Sequence, residues 1–398
     1  MILLQVSSSE IFDVIIVGAG PAGLVTGWML SEHGVHTIIL EKDKIPGRNK
    51  PCGGALTFRA KKYFSLLKGE PYIEIRKIKL VFPNGESRIV EYDETVMINI
   101  ERERLARVLI RNCQKNGCTL LTSHKFVVAE RNGNLWDITV KNMENNQIIN
   151  LKSKILVGAD GVLSQVNKTL NIRSPFKKDE LGLSVQYLIS RAQVVREDAN
   201  EFYYGHQVSP FGYAWIFPHT EYFHTGVGAL LSKINDNLRG YLDRFIPSQF
   251  KKLNNPIFQA ALVPLSGLST PSYTKAALLV GDSAGHVLPI TGEGIAYSMT
   301  AAEIAADIIY NSIKNNDFSA EFFRRYEKKW ISRIGSDLRW GKKLMLHFLK
   351  KGRGKSKYEK FLKDQRFIKM IGDIIVGTDK IISIVRRNWI AILKYYFS

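Results

Sequence analysis

Six residues near the amino terminus, Gly18-Ala19-Gly20-Pro21-Ala22-Gly23, leave this chain little choice of local fold. They follow the apolar run Phe12–Val17, short enough for a buried strand, and open a helical pattern from Pro21 to about His33. His36–Leu40 reads as the next strand, completing a β-α-β unit with parallel strands and a right-handed crossover. The G-x-G-x-x-G spacing has a mechanical reading. Gly18 permits the tight turn, Gly20 lets the backbone approach a pyrophosphate, and Gly23 lets helix and strand pack closely. The helix N-terminus then presents its partial positive charge to the phosphates. Glu41 ends the second strand, 23 residues after Gly18, where a carboxylate accepts hydrogen bonds from a ribose. A dinucleotide site is expected; the alternative is a sharp structural turn beside an exposed glutamate.

Further along, Gly47–Leu56 is too rich in Gly and Pro for a helix and is expected as a loop. Ile75–Val90 alternates about Pro83-Asn84-Gly85, which predicts a hairpin. Arg102–Cys113 has a helical pattern. Lys125–Ala129, Leu135–Val140 and Gln147–Leu151 suggest a β-meander, and Ile155–Val157 a further strand ending at Gly158-Ala159-Asp160-Gly161. Gly182–Gly228 is strand-rich, after which Ala277–Val280, the Gly281-Asp282 turn and a helix over Gly294–Tyr310 bring nucleotide-domain features back. From Phe318 onward the chain is helical and basic.

With 398 residues, 45% of them hydrophobic, the chain can bury the cores of two or three domains. The net charge of +19 is uneven: Ile331–Ser398 carries 17 basic and 5 acidic residues. Such a field attracts phospholipid head groups, nucleic acid or an acidic redox protein, and charge alone does not choose. Three cysteines, Cys52, Cys113 and Cys118, are too sparse for a disulfide scaffold and suit a reducing cytoplasm. The eight histidines show no H-x-x-x-H pair and there is no C-x-x-C, so no metal site is expected. Met1–Val6 lacks the basic flank of a signal peptide, and no run of about 18 uncharged apolar residues predicts a spanning helix. Cytoplasmic location is expected, with peripheral contact at the inner membrane face left open.

Gly281-Asp282-Ser283-Ala284-Gly285 and Pro289-Ile290-Thr291-Gly292-Glu293-Gly294 resemble the second FAD signature of the p-hydroxybenzoate hydroxylase-like flavoproteins. The resemblance implies that Asp282 holds the ribityl chain and that the Pro289, Gly292 and Gly294 turn lies along the isoalloxazine ring. Asp160-Gly161 resembles the middle D-G motif of that family, and Arg102 with Leu105 and Leu109 its R-x-x-L-x-x-x-L helix start beside the cofactor. Two more segments resemble the geranylgeranyl reductase family, a branch of those flavoproteins: Lys50-Pro51-Cys52-Gly53-Gly54 matches K-x-C-G-G. Tyr213-Ala214-Trp215-Ile216-Phe217-Pro218, then seven residues, then Gly226-Val227-Gly228 matches Y-x-W-x-F-P followed by G-x-G.

The expected architecture is an α/β fold, α+β in part: a Rossmann-type FAD-binding domain with an inserted antiparallel β-sheet substrate domain and a C-terminal helical extension. The expected boundaries are 1–74, 99–174 and 270–325 for FAD binding, 75–98 and 175–269 for substrate, and 326–398 for the basic helical region. The resemblance implies saturation of double bonds in polyprenyl lipids, with electrons from a ferredoxin-like protein or NADPH; nucleic acid is not expected as a partner. The rival is a monooxygenase or halogenase of the same fold, which the K-x-C-G-G loop disfavours; a membrane-attached flavin electron carrier is the reading from another class.

Strand periodicity puts Tyr213, Trp215 and Phe217 on one face and Gly226 and Gly228 on one face of the next strand. An aromatic wall beside an empty stripe suits a long apolar chain, while ordinary core aromatics on a tight sheet are the alternative. Cys52, Tyr213 and Trp215 are the catalytic candidates, Cys52 for proton delivery or flavin positioning. Gly53 and Gly54 let that loop approach the ring, and Lys50 flanks it. His286 is a weaker candidate, better read as a turn histidine. Phe367–Phe397 carries Ile and Val at amphipathic spacing, which suits either a membrane-surface helix or one packed on the body.

Overall fold

The computed structural model describes residues 10–193, 196–235, 237–250, 256–351 and 364–389. In chain order its strands are β1 (Ile11–Val17), β2 (Thr37–Leu40), β3 (Ala55–Thr57), β4 (Ile73–Ile75), β5 (Lys77–Val81), β6 (Ser87–Glu91), β7 (Met97–Asn99), β8 (Thr119–Leu121) and β9 (His124–Asn132). The set continues with β10 (Leu135–Asn142), β11 (Ile148–Gly158), β12 (Leu181–Ser190), β13 (Asn200–Tyr204), β14 (Gly212–Pro218), β15 (Tyr222–Leu230), β16 (Ile257–Pro264), β17 (Tyr273–Thr274) and β18 (Ala277–Leu279). The helices are α1 (Pro21–Glu32), α2 (Arg102–Lys115), α3 (Gln165–Leu170), α4 (Leu238–Gln249), α5 (Ile295–Asn315), α6 (Ala320–Trp330), α7 (Ser336–Lys351), α8 (Gln365–Val376) and α9 (Ile381–Arg387).

The first sheet runs β17-β18-β11-β1-β2-β8, with β10 and β9 continuing from β11 as an antiparallel branch. β1 lies parallel between β2 and β11, so Val17 stands beside Leu40 and Gly158. Over its second half the residues divide by strand alternation: Val14 and Ile16 join the core made with α1 and α5, whereas Ile15 and Val17 pack in the cluster of the β9-β10 branch, which Phe12 near the strand's start also joins. Burial on both faces explains the continuous apolar run. The strands expected at Gln147–Leu151 and Ile155–Val157 are one long strand. The first part of β11 pairs antiparallel with β10 and its second part parallel with β1, a branch that local pattern does not encode.

The second sheet, β16-β12-β15-β14-β13-β5-β6, takes in the hairpin predicted at Pro83-Asn84-Gly85. One face is covered by α4 through Leu242, Phe245 and Ile246; the other carries Phe202, Trp215 and Phe217 toward β7 and α8. A small third sheet, β3-β7-β4, lies in the same apolar cluster, and the loop expected over Gly47–Leu56 runs into it at Ala55.

The C-terminal helices are docked on this frame. Tyr326 donates to Leu279 O and Trp330 Nε1 to Ser272 Oγ, each at 2.9 Å, and both side chains are fully buried. α8 has the predicted amphipathic pattern, but its apolar face is turned inward: Phe367, Ile368, Ile374 and Ile375 are buried, and Gly372 lies against Val90 and Tyr92. That corrects the membrane-surface reading for α8, since the residues that would enter lipid already cover the protein. Ile392, Leu393 and Phe397 lie outside the described residues. Among the described residues no helix is long and apolar enough to cross a membrane.

Candidate active site

At the carboxyl end of β1, Gly18 takes φ +104°, and a Cβ there would fall 2.4 Å from Ala159 O. A Cβ on Gly23 would fall 2.0 Å from Gly18 O. These contacts fold the turn tightly between α1 and the end of β11. At Gly20 the same construction meets nothing within 4 Å, so the α1 N-terminus stays open to an anion. Pro21 opens the helix where no N–H donor is needed, and Ala22 touches the second glycine turn, its Cβ 2.8 Å from the Cβ position of Gly281. Two segments some 260 residues apart in sequence are thereby joined.

Glu41 is buried, accepting from Ala19 N at 2.8 Å and Asp43 N at 2.9 Å. Each carboxylate oxygen keeps a free acceptor site for a ribose hydroxyl. Lys50 pairs with Asp43 at 2.6 Å. Asp160 accepts from Ser164 Oγ, Gln165 N and Val166 N at 2.5, 2.7 and 3.0 Å, so its carboxylate caps α3 and shapes the Gly161 turn. Arg102, at the start of α2, faces Asp282: burial pushes the Asp282 carboxyl above its usual value against the pull of that guanidinium. Gly294 adjoins Asp282, its Cβ position 3.4 Å from Oδ1.

His286 Nδ1 accepts from Gly281 N at 3.1 Å, which puts the proton of the neutral ring on Nε2. The ring stacks edge-on to Trp330, with centroids 4.6 Å apart. It therefore braces the turn. Burial first, then Arg173, pushes its pKa from 6.5 down to about 3. The unfolded histidine takes up a proton near 6.5 and the folded one does not, so its contribution to stability is complete above that value and is lost as pH falls toward 3. A melting series from pH 7 to 4 should show Tm falling, with a shallower decline in His286→Asn. Equal slopes in the two proteins would contradict this assignment.

Between the second sheet and the Pro289–Gly294 turn lies a cavity of 230 Å³. Tyr213, Trp215 and Phe217 wall it, and Cys52, Gly53 and Gly54 close one side. On the neighbouring strand Gly228 stands opposite Tyr213, Gly226 opposite Trp215 and His224 opposite Phe217. The glycine stripe is only half empty. A Cβ on Gly226 would fall 2.3 Å from Trp215 Cζ2, because the indole occupies that space, while Gly228 lines the cavity itself. Sequence periodicity located both glycines but not the direction in which the indole lies.

The Tyr213 hydroxyl donates to Thr291 O, tying the aromatic strand to the turn. Burial, followed by Cys52 and Glu293, pushes that phenol up, so it stays protonated. Cys52 Sγ accepts from Gly54 N at 3.3 Å, and Gly53 lies so close to Phe217 that its Cβ position is 2.7 Å from the ring. Met345 of α7 and Ile375 of α8 complete the lining. Trp215 Nε1 and Gln186 Oε1, on two side chains of the lining, are buried without a hydrogen-bond partner among the described residues.

Sequence reasoning missed Arg59 and Glu293. Glu293, inside the Pro289–Gly294 turn, accepts from Arg59 Nη1 at 2.7 Å and from Thr57 Oγ1, and Arg59 lies 3.9 Å from Asp337 of α7. This buried network fastens the turn to the C-terminal helices. It also missed Glu101, His219 and His224, although His224 falls on the Gly226 and Gly228 face by strand alternation.

The open helix N-terminus, the buried Glu41, the Asp282 turn resting on α1 and the cavity beyond it fit FAD from adenosine end to ring, and they define an FAD-dependent oxidoreductase of the p-hydroxybenzoate hydroxylase-like class. The FAD binding domain family matches residues 12–55, and the geranylgeranyl reductase catalytic domain family matches residues 181–263. The digeranylgeranylglycerophospholipid reductase of Methanocaldococcus jannaschii is 30% identical over 330 residues, 81% of this chain and 83% of its own length. The enzyme of the same name from Methanosarcina acetivorans is 30% identical over 351 residues, 83% of each chain. A geranylgeranyl bacteriochlorophyll reductase-like protein of Thermoplasma acidophilum has the same fold, with TM-score 0.81 at 22% identity over 96% of this chain and 99% of that one. A flavin-dependent brominase superposes with TM-score 0.71 at 16% identity over 97% of this chain and 99% of its own. This chain belongs to the geranylgeranyl reductase family, and its cofactor is FAD.

Proposed function

We propose that this protein saturates double bonds in the polyprenyl chains of an isoprenoid lipid, with the digeranylgeranyl glycerophospholipids named for its relatives as the first substrates to test. The observation that carries this reading is the apolar cavity itself, walled by Tyr213, Trp215 and Phe217 and meeting both the Cys52 loop and the Pro289–Gly294 turn. At 230 Å³ it is smaller than the roughly 300–1,000 Å³ of a site that encloses a whole small ligand. It suits the reacting stretch of a chain whose remainder lies outside.

Saturating an isolated alkene adds a hydride to one carbon and a proton to the other. When bound and reduced, FAD supplies the hydride. The protein's part is to exclude water with the aromatic wall, to hold the alkene against it, and to bring a proton to the second carbon. Cys52 is our candidate for that proton or for its relay, because it lines the same cavity as Tyr213 and its sulfur is held by the Gly54 N–H. Tyr213, committed to Thr291 O, holds the turn in place.

The decisive experiment reduces the purified flavoprotein anaerobically and looks by mass spectrometry for hydrogen added to prenyl lipids. Cys52→Ala is expected to lower turnover about 100-fold or to alter the flavin spectrum. Retention of both turnover and spectrum would remove Cys52 from the reaction. Oxygen-dependent substrate conversion would favour the monooxygenase or halogenase reading. The net charge of +19 suits a ferredoxin-like electron donor, with NADPH as the second donor to compare in the same assay. Membrane contact, in this reading, falls to exposed basic residues and not to the inward apolar face of α8.

A further inference from the structure

Bonded to the Cys52 loop but outside the cavity lining, Glu101, His219 and His224 form a cluster that the proposed reaction does not use. The two imidazoles are buried and stack, with ring centroids 3.8 Å apart and 19° between their planes. Each ring gives one nitrogen to the loop. His219 Nε2 lies 2.8 Å from Gly53 O, and His224 Nδ1 lies 2.8 Å from Cys52 O. A carbonyl oxygen can only accept, so both of these nitrogens carry a hydrogen.

The remaining nitrogens converge on a single oxygen. Glu101 Oε1 is 3.0 Å from His224 Nε2 and 3.4 Å from His219 Nδ1. Two neutral rings would therefore present two lone pairs to a carboxylate, acceptor against acceptor in a buried place. That arrangement is costly and requires a positive charge between the groups. Either a proton or a metal cation supplies one, since the three ligand atoms lie within 4.8 Å of one another. Ring geometry separates the two. A bound metal sits close to the plane of each imidazole at about 2.0–2.1 Å from its nitrogen. Two nearly parallel stacked rings share no such point, and turning either one would break its bond to the loop. A proton needs only the 3.0 Å line between His224 Nε2 and Glu101 Oε1.

We propose that Glu101, His219 and His224 share one extra proton, held as a His224 imidazolium against the Glu101 carboxylate, and that this charged pair clamps the backbone of Cys52 and Gly53 in place. They are positioning residues for the loop, so this inference rests on reading the loop as a wall of the active site. Burial, then the neighbouring His224, pushes His219 down to about 3, and the shorter approach to Glu101 is that of His224, 3.0 Å against 3.4 Å. At Glu101 burial works upward, but the His224 hydrogen bond, His219 and Arg104 outweigh it and hold the carboxyl below its usual range. The charged and titratable surroundings are few. Arg104 bonds Thr220 Oγ1 and Glu221, Arg191 donates to His219 O at 3.0 Å and pairs with Asp198, and the Cys52 thiol lies on the loop itself. Contact adds to the clamp: Gly54, at φ +71°, rests with its Cβ position 2.4 Å from His219 Cε1. Loss of the shared proton at alkaline pH restores the lone-pair clash and loosens the loop.

Two measurements on the intact flavoprotein test this. With 15N-labelled histidine, NMR should show one imidazolium that persists above pH 7.5 in the native protein and is absent from Glu101→Gln, whose amide donates to a neutral His224 in the same geometry. Hydrogen exchange over residues 51–55 should rise about tenfold in Glu101→Ala while staying near native in Glu101→Gln. If Glu101→Ala does not fold, the comparison of the native protein with Glu101→Gln still decides. Uniformly neutral histidines above pH 7.5, or exchange unchanged in Glu101→Ala, would overturn the proposal, as would stoichiometric zinc in the native protein that Glu101→Gln loses. A protein that shows the imidazolium yet reduces no prenyl lipid would sink the proposed reaction and leave the clamp standing.

Discussion

Gly20→Val protein is expected to fold normally and to purify colourless. Gly20 has φ −75°, which any residue adopts, and a Cβ there meets nothing within 4 Å. The space it would fill is the approach to the α1 N-terminus, where the pyrophosphate of FAD needs bare backbone N–H groups. The whole penalty therefore falls on the cofactor, and a loss of about 100-fold or more in FAD affinity is expected, on the order of 3 kcal/mol. Flavin absorbance per protein, with circular dichroism to confirm the fold, measures it. A yellow Gly20→Val protein with native flavin content would remove the dinucleotide site from this turn. Gly18→Val is the informative contrast. Its Cβ would strike Ala159 O at 2.4 Å from a left-handed backbone, so the fold itself would suffer and a colourless product would say little about FAD.

At the other end of the site, Gly228→Leu should keep its flavin and lose its turnover. A Cβ at this position makes ordinary contact, 3.4 Å from Trp215 Cζ3, so the strand accepts a side chain without strain. The rest of the leucine has nowhere to go but the 230 Å³ cavity. Prenyl substrate is then excluded, with kcat/KM falling about 100-fold and a rise in KM as its larger part. Unimpaired turnover would place the substrate elsewhere. Gly226→Val differs, because its side chain would collide with the Trp215 indole at 2.3 Å and disturb the wall before reaching any substrate.

The nucleotide end was legible because it depends on backbone conformation, which short motifs report directly. A glycine at positive φ, as at Gly18 and Gly281, is a local requirement that sequence displays. The aromatic wall was legible for a similar reason, since alternation along β14 puts Tyr213, Trp215 and Phe217 on one face whatever the sheet packs against. Less local features were lost. The fusion of two expected strands into β11 depends on which neighbours each half finds. The amphipathic spacing of α8 is the same for a helix on lipid and for one on protein, and only its contacts with Val90 and Tyr92 decide between them.

The sequence by itself determined the class of cofactor, the glycine turn at the end of β1 and the aromatic face of β14, because each is written in residues a few positions apart. Tertiary structure alone decided that Trp215 fills the Gly226 half of the glycine stripe, that Glu293 is tied to Arg59, and that Glu101 meets His219 and His224 at the Cys52 loop. These contacts join side chains from separate strands and helices. Their partners are selected by packing, and no spacing along the chain encodes a distance across it.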